Sequence, residues 1–275
     1  MDDSSTLTSA KIIPLPQSGA IDGEKDHVRL RKSDAEQKAQ EEAWASSAQE
    51  VRTEASFKNP PRILEIEMFN KGECDTIKSI VLSLEPYWIS RGMDTFWTIG
   101  ASTYNDLAIP TEGHASYYEV AEQNNLIIQR SFGPLLTSVK ETIGKVYQRE
   151  CIDLPFAGLM GFHIFNDSAL KREHVGGHIH TDEPFQRILW TEPFANPFSF
   201  TLAIALPDDA GGLDYWDENN KRHYQPYKIG HMYIHSGRFP HRIGSHPFPS
   251  NEKPRITLQG HGATLLDTNR VAVYF

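Results

Sequence analysis

The chain has 275 residues, 39% hydrophobic and 23% charged, with a formal net charge of -9. That length supports one substantial domain or two small ones. The acidic balance argues against a nucleic-acid backbone or an anionic membrane as the main partner, and no apolar run approaches the about 18 residues of a membrane span.

The start, Met1-Asp2-Asp3-Ser4-Ser5, carries neither the basic nor the apolar region of a secretory signal. Cys74 and Cys151, the only cysteines, cannot make a disulfide framework and are expected to be reduced. A cytoplasmic protein is therefore expected. Residues 1–57 read as a flexible appendage. Within them 4–23 is rich in Ser, Pro and Gly, and Ser33-Asp34-Ala35-Glu36 is a capping box that opens a polar helix over 33–53. Its sparse apolar residues, Ala39, Ala43, Trp44, Ala48 and Val51, suit a solvated helix anchored by Trp44, with a lid or dimer contact as the alternative.

A single domain is expected over 58–275, entered at Asn59-Pro60-Pro61 and divided into a helical part, 58–155, and a strand-rich part, 156–275. The alternation over 62–68 predicts a strand. Asn70-Lys71-Gly72-Glu73 caps a helix with the face Ile77, Ile80, Val81, Leu84, and a loop with Trp97 and Tyr104 follows. The spacing of Leu126, Ile127, Phe132, Leu135, Leu136, Val139, Ile143 and Val146 predicts a helix over 116–149, broken or kinked at Gly133-Pro134. Strands are then expected at 159–165, 177–181, 198–206, 213–216, 229–234, 255–259 and 271–275. Helices first and short strands second give an α+β class whose β part is a sandwich, jelly roll or barrel, with the helices packed on one face.

All but two of the twelve histidines lie at or after His163. In Gly177-His178-Ile179-His180-Thr181-Asp182, His180 and Asp182 are two apart and share a face of an extended chain. An imidazole and a carboxylate so placed form two thirds of a two-histidine, one-carboxylate facial triad, which suits non-heme Fe(II). His231 and His235 lie on an extended segment, about 13 Å apart, and do not chelate together. His241, in Arg238-Phe239-Pro240-His241, follows a strand and is the expected third ligand. Arg255 and Thr257 share a strand face and offer a guanidinium fork and a hydroxyl to a carboxylate.

The ordered set His180-x-Asp182, Asp208-Asp209-Ala210-Gly211-Gly212-Leu213, Tyr227-Lys228-Ile229-Gly230, His241-Arg242-Ile243 and Arg255-Ile256-Thr257 resembles the iron(II)- and 2-oxoglutarate-dependent dioxygenases, in their prolyl-hydroxylase-like branch. The resemblance covers about 155–262. It implies a double-stranded β-helix (jelly-roll, cupin-like) core, Fe(II) on His180, Asp182 and His241, and 2-oxoglutarate anchored by Arg255 with Thr257. It also implies O2 as oxidant and release of succinate and CO2. Two features depart from the pattern. The strand before His180 carries Phe162, His163 and Phe165 where that branch often has a tyrosine, and Lys253 is a rival anchor to Arg255. An aspartate at 182 disfavours a halogenase.

The expected activity is hydroxylation of a C–H bond in a small amino-acid-like or natural-product substrate. His178, Arg187, Trp190 and Arg238 are the candidate substrate contacts, and the aromatic, proline-rich loop 185–197 is a candidate lid. Desaturation or cyclisation would use the same cofactors, and a protein side chain is an alternative substrate. A zinc or manganese cupin-type hydrolase would have no need of Arg255, and a non-catalytic jelly-roll binding module would need no metal. The oligomeric state is left open, a homodimer included.

Overall fold

The computed structural model describes residues 63–91, 96–107, 116–165, 179–207, 211–244 and 254–275. The helix expected over 33–53, the domain boundary near residue 57 and His178 lie outside these residues. Among the described residues no helix is long and apolar enough to cross a membrane.

The first half supplies strands as well as helices. Strand β1 (Leu64–Glu67) leads into helix α1 (Lys71–Ser83), where the Asn70 side chain accepts from the Glu73 backbone and the Glu73 carboxylate accepts from the Asn70 backbone. Short strands β2 (Ile89–Ser90) and β3 (Phe96–Ile99) follow, then a one-turn helix α2 (Thr103–Asp106). Helix α3 (Tyr117–Tyr147) opens on a second capping box, Ser116 with Glu119, and closes at Gln148 in the left-handed conformation.

Of the break or kink expected at Gly133-Pro134, the break is not there: α3 runs through Pro134 as one element. A helix-interior proline costs about 3 kcal/mol. Ile128, Phe132, Leu136, Val139 and Ile143 are buried against the sheet on both sides of it. At about 1.5–3 kcal/mol for each such side chain, packing outweighs the defect.

The remaining strands are β4 (Cys151–Asp153), β5 (Gly161–Phe165), β6 (Phe194–Ala205), β7 (Leu213–Trp216), β8 (Arg222–Gln225), β9 (His231–His235), β10 (His241–Ile243), β11 (Arg255–Leu265) and β12 (Val271–Tyr274). The large sheet runs β1-β9-β6-β11-β5-β3-β2, with β12 beside the far half of β11 and β4 parallel to β12. The small sheet is β10-β7-β8. Residues around Trp97, expected in a loop, form β3. Strands β8 and β10 were not expected, and the strand expected at 177–181 is, among the described residues, only a bridge at His180.

Strand alternation divides the large sheet into two unlike faces. Phe162 and Ile164 of β5, Phe198, Phe200 and Leu202 of β6, Met232 and Ile234 of β9, and Ile256 and Leu258 of β11 join α1 and α3 in one apolar cluster. The residues between them face the other way: His163, Ser199, Thr201, Tyr233, His235, Arg255, Thr257, Gln259 and His261. Ala203, Leu213, Tyr227, Tyr233 and Phe239 pack where the small sheet meets that second face. The result is a jelly-roll-like α+β fold with helices on one side and a buried, polar second face.

Candidate metal centre

His180 and His241 sit opposite one another in an isolated antiparallel bridge, with Nα–H to carbonyl distances of 3.0 and 2.9 Å in the two directions. The bridge sets their rings 4.5 Å apart, centroid to centroid. Two residues on, the Asp182 backbone N–H donates to the Gly237 carbonyl at 2.7 Å, which docks the carboxylate beside both rings. His180 Nε2 is 3.7 Å from Asp182 Oδ1 and His241 Nε2 is 3.5 Å from Oδ2. One donor atom from each of the three residues falls within 4.8 Å of the others.

The local backbone is built for this approach. Gly237 has φ +70°, and a Cβ there would lie 2.6 Å from Asp182 Cβ and 2.7 Å from Ser199 Oγ. The Phe239 carbonyl lies 2.9 Å from His241 Nδ1. With the proton on Nδ1, that contact orients the ring and leaves the Nε2 lone pair on the carboxylate side, free to ligate a metal. Asp182 and His241 are buried, whereas the His180 side chain is 44% exposed, so the centre opens on the His180 side.

Burial works to raise the Asp182 pKa, but the His241 imidazolium and its hydrogen bond outweigh it, helped by His261 and His235, and hold the carboxyl well below its usual range. For His241 burial pulls downward and Asp182 prevails, raising it. A carboxylate held ionised beside two imidazoles is a donor set for a divalent first-row metal. Its two-histidine, one-carboxylate composition is that of a non-heme iron centre.

On the buried, polar face of the large sheet lies Arg255, 2% exposed. Its Nε donates to the Gly211 carbonyl at 3.1 Å and Nη1 to Thr257 Oγ1 at 3.2 Å. The Phe165 ring lies 5.8 Å from its guanidinium carbon. Among the described residues no carboxylate pairs with it. Burial lowers its pKa to about 10, with Tyr227 and Tyr224 the groups opposing. A desolvated cation without a counter-ion among the described residues is costly, so the geometry suits an incoming carboxylate.

His163 stands directly across from Thr257 in the β5–β11 ladder, and its Nε2 is buried without a hydrogen-bond partner among the described residues. Burial, reinforced by Arg255 and Arg91, pushes its pKa down to about 3, so it is neutral. An orphaned ring nitrogen across the ladder from the Thr257 that Arg255 binds is a second mark of a polar ligand.

The candidate substrate contacts fare differently. The Trp190 ring stacks on Phe194 at 4.1 Å, and its Nε1 donates to the Phe185 carbonyl, which gives it a packing role. Arg187 is exposed at the end of the turn Pro184–Gln186, and Arg238 is half-buried between Gly237 and Phe239. Lys253 lies outside the described residues.

Sequence reasoning missed four neighbours of the centre. The Tyr104 hydroxyl donates to Asp182 Oδ1, reaching across 78 residues. His235 accepts from the Gly237 N–H at 3.0 Å through Nδ1, and His261 Nδ1 meets Ser199 Oγ at 2.9 Å. Gly237 is the fourth. Alternation from Arg255 and Thr257 carries the signal for His261; nothing in the sequence marks Tyr104.

No family model matches the chain, and no curated protein matches it. Solved structures do. An N-substituted L-amino acid dioxygenase from Burkholderia ambifaria, solved with α-ketoglutarate, is 10% identical with a TM-score of 0.50, covering 84% of this chain and 91% of its own. The non-heme α-ketoglutarate-dependent epimerase SnoN of nogalamycin biosynthesis is 11% identical with a TM-score of 0.45, covering 81% and 84%. A Pseudomonas putida prolyl-4-hydroxylase is 11% identical with a TM-score of 0.36, covering 78% and 96%. The first of these likenesses is one of fold: the chain shares the fold of that dioxygenase.

Proposed function

We propose that this chain is an Fe(II)- and 2-oxoglutarate-dependent oxygenase acting on a small molecule. The observation that carries the reading is a buried Arg255, without a carboxylate among the described residues, on the large-sheet face against which the small sheet and the His180, Asp182 and His241 cluster lie. A cupin-type hydrolase has a use for the cluster and none for the arginine.

In this reading His180 Nε2, one Asp182 oxygen and His241 Nε2 hold the iron. Arg255, with the Thr257 hydroxyl, binds the far carboxylate of 2-oxoglutarate, and the neutral His163 donates from Nε2 to the same cosubstrate. When bound, the metal and 2-oxoglutarate supply an oxidant made from O2, with succinate and CO2 as by-products. The chain's own part is to orient and to exclude water. Phe165 walls the guanidinium from solvent, the Phe239 carbonyl fixes the His241 tautomer, and the exposed side of His180 leaves room for substrate.

The substrate is amino-acid-like or a natural-product intermediate. A structural neighbour named as a dioxygenase of N-substituted L-amino acids supports that class. Hydroxylation is the favoured outcome; epimerisation, desaturation and cyclisation draw on the same cofactors. The test is an aerobic assay with Fe(II), 2-oxoglutarate and a panel of free and N-substituted amino acids. Succinate release that rises with one panel member, matched by a product one oxygen heavier, supports hydroxylation. The same release with loss of two hydrogens assigns desaturation or ring closure. No 2-oxoglutarate turnover, with zinc-dependent hydrolysis instead, overturns the reading.

A further inference from the structure

The metal centre has a fourth wall that comes from the helical half of the chain. Tyr104, on α2, donates its hydroxyl to Asp182 Oδ1, while Oδ2 faces His241 Nε2 at 3.5 Å. Its ring stands edge-on to His180 at 6.0 Å and to His261 at 5.5 Å.

The one-turn helix that presents it is held from several sides. Thr103 N–H donates to the Phe275 carbonyl at 3.1 Å. The Ser102 N–H donates to Asp106 Oδ2 at 2.7 Å, and Arg91 grips both Asp106 oxygens at 2.7 and 2.8 Å. Arg91 and Asp106 are both largely buried. Such a mounting fixes where the phenol points, and a phenol hydroxyl facing a carboxylate can only be the donor of the pair.

Resting on the function proposed above, we propose that Tyr104 is a positioning residue that keeps Asp182 a one-oxygen ligand by occupying Oδ1. The consequence follows from counting positions. An octahedral metal with one atom from each of three protein ligands keeps three positions, enough for a 2-oxo acid bound through two atoms and for the oxidant. If both Asp182 oxygens turned to the metal, two positions would remain, and a two-atom cosubstrate would fill them. A hydrogen bond to Oδ1 raises the cost of that second contact, in the way outer partners of metal ligands set ligand geometry. Tyr104 thereby reserves the position that the reaction needs.

The variant Tyr104→Phe removes the hydroxyl and keeps the ring, and two affinities separate positioning from simple support. With folding checked by circular dichroism, Fe(II) binding is measured anaerobically by competition with a chromogenic chelator, and 2-oxoglutarate binding by calorimetry on the Fe(II)-loaded protein. Freed of its clamp, Asp182 engages through both oxygens, so Tyr104→Phe binds Fe(II) as tightly as wild type or more tightly. It binds 2-oxoglutarate about tenfold more weakly, the size expected for one charge-assisted hydrogen bond. Proportional weakening of both affinities is the mark of a merely structural tyrosine and overturns the inference, as do two unchanged affinities. Wild-type protein that binds Fe(II) but no 2-oxoglutarate refutes the functional reading itself, and the inference with it.

Discussion

Replacing Arg255 by leucine separates what the residue does for the cosubstrate from what it does for the fold. The guanidinium is 2% exposed and pairs with no carboxylate among the described residues. A carboxylate about 4 Å away, at an effective dielectric of about 20, gains roughly 4 kcal/mol of attraction, and removing one partner of a buried, hydrogen-bonded charge pair costs about 2–5 kcal/mol. Taking about 3 kcal/mol, Arg255→Leu weakens 2-oxoglutarate binding roughly 150-fold. Stability moves little. The variant loses bonds to the Gly211 carbonyl and Thr257 Oγ1, and sheds a desolvated charge of similar cost, for a net change within about 2 kcal/mol. Calorimetric titration of 2-oxoglutarate into anaerobic Fe(II)-loaded protein reads the first quantity, and urea unfolding of the metal-free protein reads the second. Wild-type affinity in Arg255→Leu refutes the anchor. Destabilisation well beyond about 4 kcal/mol refutes the picture of an uncompensated cation, since a residue so essential to folding would already have its partner.

Three further changes probe other parts. Gly237→Ala places a methyl 2.6 Å from Asp182 Cβ at a backbone φ of +70°; it should weaken Fe(II) binding about 10–100-fold, and chelator competition showing wild-type affinity would dismiss the close-approach argument. Trp190→Ala should destabilise by about 3–5 kcal/mol with KM nearly unchanged in the protein that remains folded, and a KM rise without loss of stability would return Trp190 to the substrate site. His163 has a folded pKa of about 3, below its value near 6.5 when unfolded. The unfolded chain therefore binds the extra proton, and the stability this residue contributes is present above about pH 6.5 and lost as pH falls toward 3. Urea series between pH 6 and 4 should show His163→Phe less acid-sensitive by about 1.4 kcal/mol per pH unit; identical slopes would mean that the imidazole is not held neutral.

Much of this centre could be read from local pattern because strands encode their faces every second residue. His180 and Asp182 share a face by that rule, as do Arg255 and Thr257, and the alternation in β6 and β11 marks which side meets the helices. His241 was identified by its place after a strand, yet its own strand is three residues long and pairs with β7, a pairing with too little local signal to predict. Long-range contacts stayed hidden for the same reason. Tyr104 reaches Asp182 across 78 residues from a segment without periodicity. The strand β3 read as a loop because four residues flanked by Gly100 and polar chain carry little pattern. Pro134 misled because a local rule about helix breaking was outweighed by apolar burial on both sides of it, a tertiary term invisible in the sequence.

The measurement closest to the central claim is an anaerobic titration of the full chain with Fe(II) and then 2-oxoglutarate, followed through the weak visible charge-transfer absorption of the chelate, beside the His241→Ala variant. The account predicts that the absorption develops to one equivalent in wild type and is absent in His241→Ala. Wild-type protein of verified fold that shows no such absorption, or a variant that shows it undiminished, would contradict the assignment of His180, Asp182 and His241 as the iron site.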